Sequence, residues 1–177
     1  DGCTYSTYTT ATLGISNAQN AMDTYQYRAV LTTTTGSCET TSGAAILTVH
    51  PLPVPTITGP NSVCIGSVGN IYTTEAVMTN YIWSVSAGGT ITAGGGAANN
   101  TVTVTWNNAG SQSVSVNYTN ANNCTAATPT VYSVVVGDPP TAATLTGSGD
   151  DCFGDANSWI RSVITSGAPP YTIKYTL

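Results

Sequence analysis

The chain has 177 residues, of which only 6% are charged against a usual ~25%, and its three basic residues (Arg28, Arg161 and Lys174) leave a net charge of −5. So few cations cannot neutralise a phosphate backbone or an anionic membrane surface, which excludes nucleic acid and acidic lipid as partners. No run of about 18 apolar residues is present, so nothing reads as a membrane span, and a hydrophobic content of 41% argues against a disordered chain.

In chain order, Leu13-Gly14-Ile15 comes first, followed by a short helix-like window at residues 17–23 and then Met22-Asp23-Thr24-Tyr25-Gln26-Tyr27. A β-rich run at residues 45–49 leads into His50-Pro51-Leu52-Pro53-Val54-Pro55, where proline favours an extended, semi-rigid connection. Beyond it, alternation with period two dominates: Tyr81-Ile82-Trp83-Ser84-Val85, then Thr101-Val102-Thr103-Val104-Thr105-Trp106, then Ser113-Val114-Ser115-Val116-Asn117-Tyr118 and residues 131–136. Each places apolar groups on one face and Thr, Ser or Asn on the other, as half-buried strands require. Turn-formers separate them at residues 87–89, 94–96, 107–110 and 120–123. Strands at this spacing with glycine and asparagine turns indicate an all-β sandwich.

One segment occurs twice. Thr56-Ile57-Thr58-Gly59, with Cys64 and Gly66, returns as Thr144-Leu145-Thr146-Gly147, with Cys152 and Gly154, each position displaced by 88 residues. Cys38 and Cys124 are related by a similar displacement, of 86. A fixed period with one cysteine per copy describes similar small domains in tandem. The phase sets the boundaries: residues 1–50 read as the C-terminal part of one unit, 51–55 as a proline-rich linker, 54–137 as a whole unit and 138–177 as the N-terminal part of a further one. Gly137-Asp138-Pro139-Pro140 repeats the junction. Short stiff linkers would make the array a rod, and the chain reads as a window on a longer one.

No catalytic set can be assembled. The single histidine, His50, lies in the linker, and none of the five cysteines sits in a C-x-x-C pair. No enzyme activity and no cofactor are expected. Asp150, Asp151 and Asp155, with Asn157, form the one acidic cluster. Such oxygens suit calcium, which would stiffen the array, but the plainer reading is a solvated loop beside Cys152, and no metal site is assigned. Tyr5, Tyr8, Tyr72, Tyr171 and Tyr175 are candidates for stacking on sugar rings, although sandwich cores and strand faces use tyrosine freely. Three N-glycosylation triplets begin at Asn99, Asn117 and Asn123, and none is expected to be used.

The stretch from Leu13 to Tyr27 resembles the E–F region of an immunoglobulin-like sandwich, with its L-x-I, loop and D-x-Y-x-C pattern. Tyr25 falls on the tyrosine-corner position and Tyr27 replaces the strand-F cysteine, which makes both structural core residues. Trp83 takes the buried indole position of strand C, and Trp106 closes strand E. More widely, G-P-N-S-V-C-I-G (59–66), N-Y-I-W-S-V-S-A-G-G-T-I (80–91), T-V-T-V-T-W (101–106) and N-Y-T-N-A-N-N-C (117–124) are similar to PKD-like and immunoglobulin-like repeats of very large Bacteroidota surface proteins. The chain departs from ordinary PKD domains in following Trp83 with Ser-Val-Ser-Ala.

The resemblance implies tandem immunoglobulin-like/PKD-like β-sandwiches joined by short proline-rich linkers, type IX secretion and display on the bacterial cell surface. It transfers no active site. In an immunoglobulin-like topology Cys64 and Cys124 are expected at one end of the sandwich, where a disulfide closing the intervening loop would stabilise by up to ~4 kcal/mol. Cys152 would pair outside the chain. For Cys38, the repeat-based partner would precede residue 1, with Cys3 as the rival. The function expected is a structural stalk, adhesin or surface filament of a long repeat protein. The alternative is a carbohydrate-binding or spacer array on a secreted glycan-degrading enzyme. Its partner would be a surface glycan or protein, with lateral or end-to-end self-association as a further possibility.

Overall fold

A computed structural model describes residues 4–6, 9–33, 38–140, 143–147, 153–154, 159–165, 167 and 171–176. Among these residues the chain is all-β, with a single 3-10 turn (Asn20–Met22) inside the helix-like window and no α-helix. Residues Asp1–Pro53 with Asn122–Cys124 make one compact unit, and Val54–Ala121 with Thr125–Leu177 make another.

In the first unit, β1 (Thr4–Ser6) pairs with β2 (Gly14–Ser16), β3 (Gln26–Tyr27) with β6 (Ala45–Ile46), and β4 (Val30–Thr32) with β5 (Glu39–Thr41). Met22 is buried at the 3-10 turn. The Asp23 carboxylate accepts the Val49 N–H at 2.9 Å, and Thr24 and Tyr25 exchange backbone bonds with Leu47. Tyr25, expected in a core, is 44% exposed. The strands of this unit pair only two by two, so among the described residues no second layer covers its ring. Tyr27 is half-buried and its ring lies 6.2 Å from that of Tyr5.

The central residues close into two sheets. One contains β8 (Asn70–Thr73), β10 (Gly89–Gly94) and β11 (Thr101–Trp106) in the order β10-β11-β8. The other contains β7 (Ser62–Cys64), β9 (Thr79–Val85), β12 (Gly110–Thr119) and β13 (Thr130–Gly137) in the order β7-β13-β12-β9. The alternation does this work directly: Val102, Val104 and Trp106 point inward and are wholly buried, while Thr101, Thr103 and Thr105 stay partly exposed on the outer face. Val114, Val116, Tyr118, Val134 and Val136 meet them from the opposite sheet and form one core with Ile57, Tyr72, Tyr81 and Trp83. The buried indoles are satisfied. Trp106 Nε1 donates to Tyr72 Oη at 3.1 Å, and Trp83 Nε1 donates to the Asn99 carbonyl at 2.9 Å. Gly59 lies so close under Tyr72 that a Cβ there would run into the ring.

Further along, β14 (Ala143–Gly147) pairs antiparallel with β15 (Ile160–Ile164). The pairing repeats the central unit. Thr58 bridges Thr73, and the residues displaced from both by 88, Thr146 and Arg161, are partners in the β14–β15 register.

Candidate functional site: the ends of the central sandwich

Pro53-Val54-Pro55 brings the chain to the central sandwich, and proline has no N–H to offer. The first donors beyond it are those of Thr56, and Glu75 receives them. Its carboxylate accepts the Thr56 N–H at 3.0 and 3.1 Å, the Thr56 hydroxyl at 2.5 Å and the Thr74 hydroxyl at 2.7 Å. Burial pushes the Glu75 carboxyl up, but these donors together with its own backbone N–H outweigh burial and hold it at about 2. Burial, and then the Glu75 charge, push the Tyr118 phenol up to about 12. The Tyr81 hydroxyl braces the same loop by donating to the Glu75 carbonyl at 2.7 Å and accepting the Met78 N–H at 3.0 Å. Between them Val77 is exposed and held at φ 66, a left-handed backbone that a β-branched side chain resists. On the other side, the Thr130 hydroxyl donates to the Pro55 carbonyl at 2.6 Å.

From this clamp the chain is tied to each sheet in turn. Thr58 and Thr73 exchange two 2.9 Å backbone bonds, and the Tyr132 hydroxyl donates to the Gly59 carbonyl at 2.7 Å. The chain then crosses to the second sheet, where β7 runs parallel to β13 with Val135 opposite Ser62 and Gly137 opposite Cys64. The Val135 N–H reaches the Asn61 carbonyl at 2.8 Å, and the Ile65 N–H reaches the Gly137 carbonyl at 2.9 Å. The first and last strands of this sandwich are therefore neighbours pointing the same way. Tension along the chain pulls them in opposite senses and loads their hydrogen bonds in shear, all together.

Cys64 lies abreast of Gly137 in the β7–β13 pairing and is an exposed free thiol. Cys124 lies in the connection between β12 and β13. Cys38 is an exposed thiol as well. Its rival partner Cys3, together with Cys152, Tyr8 and the acidic cluster Asp150, Asp151, Asp155 and Asn157, lies outside the described residues.

Trp83 and Trp106 both lie in the central core. Tyr72, weighed as a sugar-stacking surface, is fully buried and receives Trp106 edge-on at 6.4 Å. Tyr5 and Tyr175 are exposed and Tyr171 is half-buried. Sequence reasoning gave Glu75 no role. The available signal was a solitary carboxylate directly after two threonines at a strand end, in a chain with only eight acidic residues. Among the described residues no group of three His, Cys, Asp or Glu side chains is placed to hold a metal, and no helix is long and apolar enough to cross a membrane.

This arrangement has a counterpart among known families. Residues 50–134 match the model of the PKD-like domain family. No curated protein matches the chain. The match covers the central sandwich and supports a PKD/immunoglobulin-like repeat. PKD-like domains are generally non-catalytic modules and typically occur in extracellular proteins, so the match points to an extracellular module of structural or adhesive type.

Proposed function

We propose that this chain is a segment of a long extracellular repeat protein that works as a stalk, adhesin or surface filament on the bacterial cell surface, of the kind that serves gliding and follows the type IX route. Residues 54–137 are one whole unit of that array, 1–50 the end of the preceding unit, 51–55 the linker, and 138–177 the start of the next. The carrying observation is the parallel pairing of β7 with β13, reinforced at the incoming end by Glu75. It suits a domain that must stay folded while tension passes through the chain. The register shared by Thr58–Thr73 and Thr146–Arg161 supports the tandem reading.

Single-molecule stretching of the full chain tests it. The central unit is expected to unfold in one high-force step. Val135→Pro, which removes the N–H donated to Asn61 on the β7 side, should lower that force markedly. A low unfolding force insensitive to this change would sink the stalk. Specific capture of a glycan through exposed Tyr5 or Tyr175 would favour the spacer on a glycan-degrading enzyme instead.

A further inference from the structure

Each of the two junctions carries a titratable residue directly before a proline, and the two differ in what that residue can do. His50-Pro51 and Asp138-Pro139 correspond, displaced by 88 residues like the rest of the repeat. Asp138-Pro139 is the one Asp-Pro bond in the chain. It lies on the single covalent path from the central sandwich into the residues that follow, so one break there parts the two.

Both flanks of this bond are held. Before it, Gly137 pairs with Cys64, and the Gly137 carbonyl accepts the Ile65 N–H at 2.9 Å. After it, Gly167 packs so closely that a Cβ there would come within 2.7 Å of the Pro140 nitrogen and 3.0 Å of the Pro139 carbonyl carbon. Asp138 stands between them, exposed, and among the described residues its carboxylate takes no hydrogen bond. Two other carboxylates are occupied: Asp23 accepts the Val49 N–H, and Glu75 accepts donors from Thr56 and Thr74. A carboxylate held in that way is a poor nucleophile, whereas that of Asp138 is free to turn on its own backbone. A cleft of about 490 Å3 beside Asp138, Pro139 and Pro140 admits water, and Cys64 and Tyr171 are the other titratable groups that line it. A thiol and a phenol carry no charge in acid, so neither opposes an anionic nucleophile there.

We propose that the Asp138–Pro139 bond is an acid-triggered self-cleavage site, at which the folded chain severs its own link beyond the central sandwich. A carboxylate oxygen of Asp138 adds to the carbon of its own backbone carbonyl and closes a five-membered ring, with the advantage of an intramolecular attack. The bond from that carbon to the Pro139 nitrogen then breaks. The nitrogen takes a proton from the medium and leaves as the secondary amine that begins a new chain. The cyclic anhydride left on Asp138 adds one water and opens to two carboxyl groups. Water and acid are the only co-reactants. Proline matters because its nitrogen bears no N–H and belongs to a tertiary amide, which takes up a proton and leaves more readily than an ordinary peptide nitrogen. His50 has no carboxylate to attack with, so the first junction keeps its bond. The reaction depends neither on the stalk reading nor on any force along the chain.

Incubation of the full chain at about pH 4 and about pH 7, read by mass spectrometry under denaturing conditions, tests this. In acid the native chain should give two pieces, residues 1–138 and 139–177, while the neutral sample stays whole over the same period. Glu75 keeps its charge in this acid because its carboxyl is held at about 2, and near-UV circular dichroism checks that the central core remains folded. Asp138→Glu would have to close a six-membered ring, and Pro139→Ala restores an ordinary peptide nitrogen, so each should slow the cut by at least about tenfold. The same incubation in urea gives the rate for the unfolded chain, and the native rate should lie within about tenfold of it, since the fold leaves the carboxylate free. A native chain that stays whole in acid, one cut more than about tenfold more slowly than in urea, or an undiminished cut in either variant would overturn the proposal. Any of these results leaves the stalk standing, and a low unfolding force with the cut intact refutes only the stalk.

Discussion

The central sandwich and the β14–β15 hairpin share one strand pairing, yet among the described residues only the first has a facing sheet. The same strand pairing recurs, shifted by 88 residues, from Thr58–Thr73 to Thr146–Arg161. Around it everything differs. A side chain at Gly59 would strike the Tyr72 ring, while among the described residues one at the equivalent Gly147 would meet only the Trp159 carbonyl at 3.6 Å. Local sequence is enough to pair two strands, but burial comes only when the opposing sheet is present. In this fold the second layer, not the hairpin, supplies the stability.

The largest test of that contrast is Trp106→Ala. It removes an indole that is wholly buried against Tyr72 and should cost about 4 kcal/mol, read as a drop in the denaturant midpoint by tryptophan fluorescence. The sharpest test uses equivalent positions. Ile57→Ala should cost about 3 kcal/mol, and Leu145→Ala less than about 0.5 kcal/mol, in dilute solution where the hairpin face is solvated. Equal costs would mean that the two copies are packed alike.

A smaller effect concerns the clamp. Glu75→Gln should cost about 2 kcal/mol, since it weakens three donors' bonds to one charged acceptor. Because the folded carboxyl titrates at about 2 and an ordinary glutamate at 4.5, its contribution is fully present above pH 4.5. It falls away as the pH drops from there toward 2. Acid titration of stability should show that slope in the native chain and a shallower one in Glu75→Gln. The smallest change has the opposite sign. Val77→Gly relieves a left-handed backbone at an exposed position and should raise the midpoint by an amount equivalent to about 1 kcal/mol; a loss of stability would mean that the valine packs on something.

Much of this was legible beforehand, and the reasons it stopped are physical. The run from Thr101 to Trp106 announces both its strand and its buried face, because alternation is a local property. The repeat is equally plain, being written in residue types. The direction of β7 is not. Its three residues carry no sign of which sheet they join, and a parallel pairing between residues 62–64 and 135–137 depends on the whole path between them. Tyr25 stands 44% exposed because its motif relies on a covering layer that the described residues do not include. Glu75 escaped notice because its value lies in Thr56, nineteen positions away.

The parallel course of β7 beside β13 also gives the module a grain. Tension that follows the backbone meets every bond of the seam at once. A tug on a side loop, such as the one that carries Val77, would instead open its neighbours one at a time, as a zipper opens. A string of such units would be tough lengthwise and easily frayed from the flank.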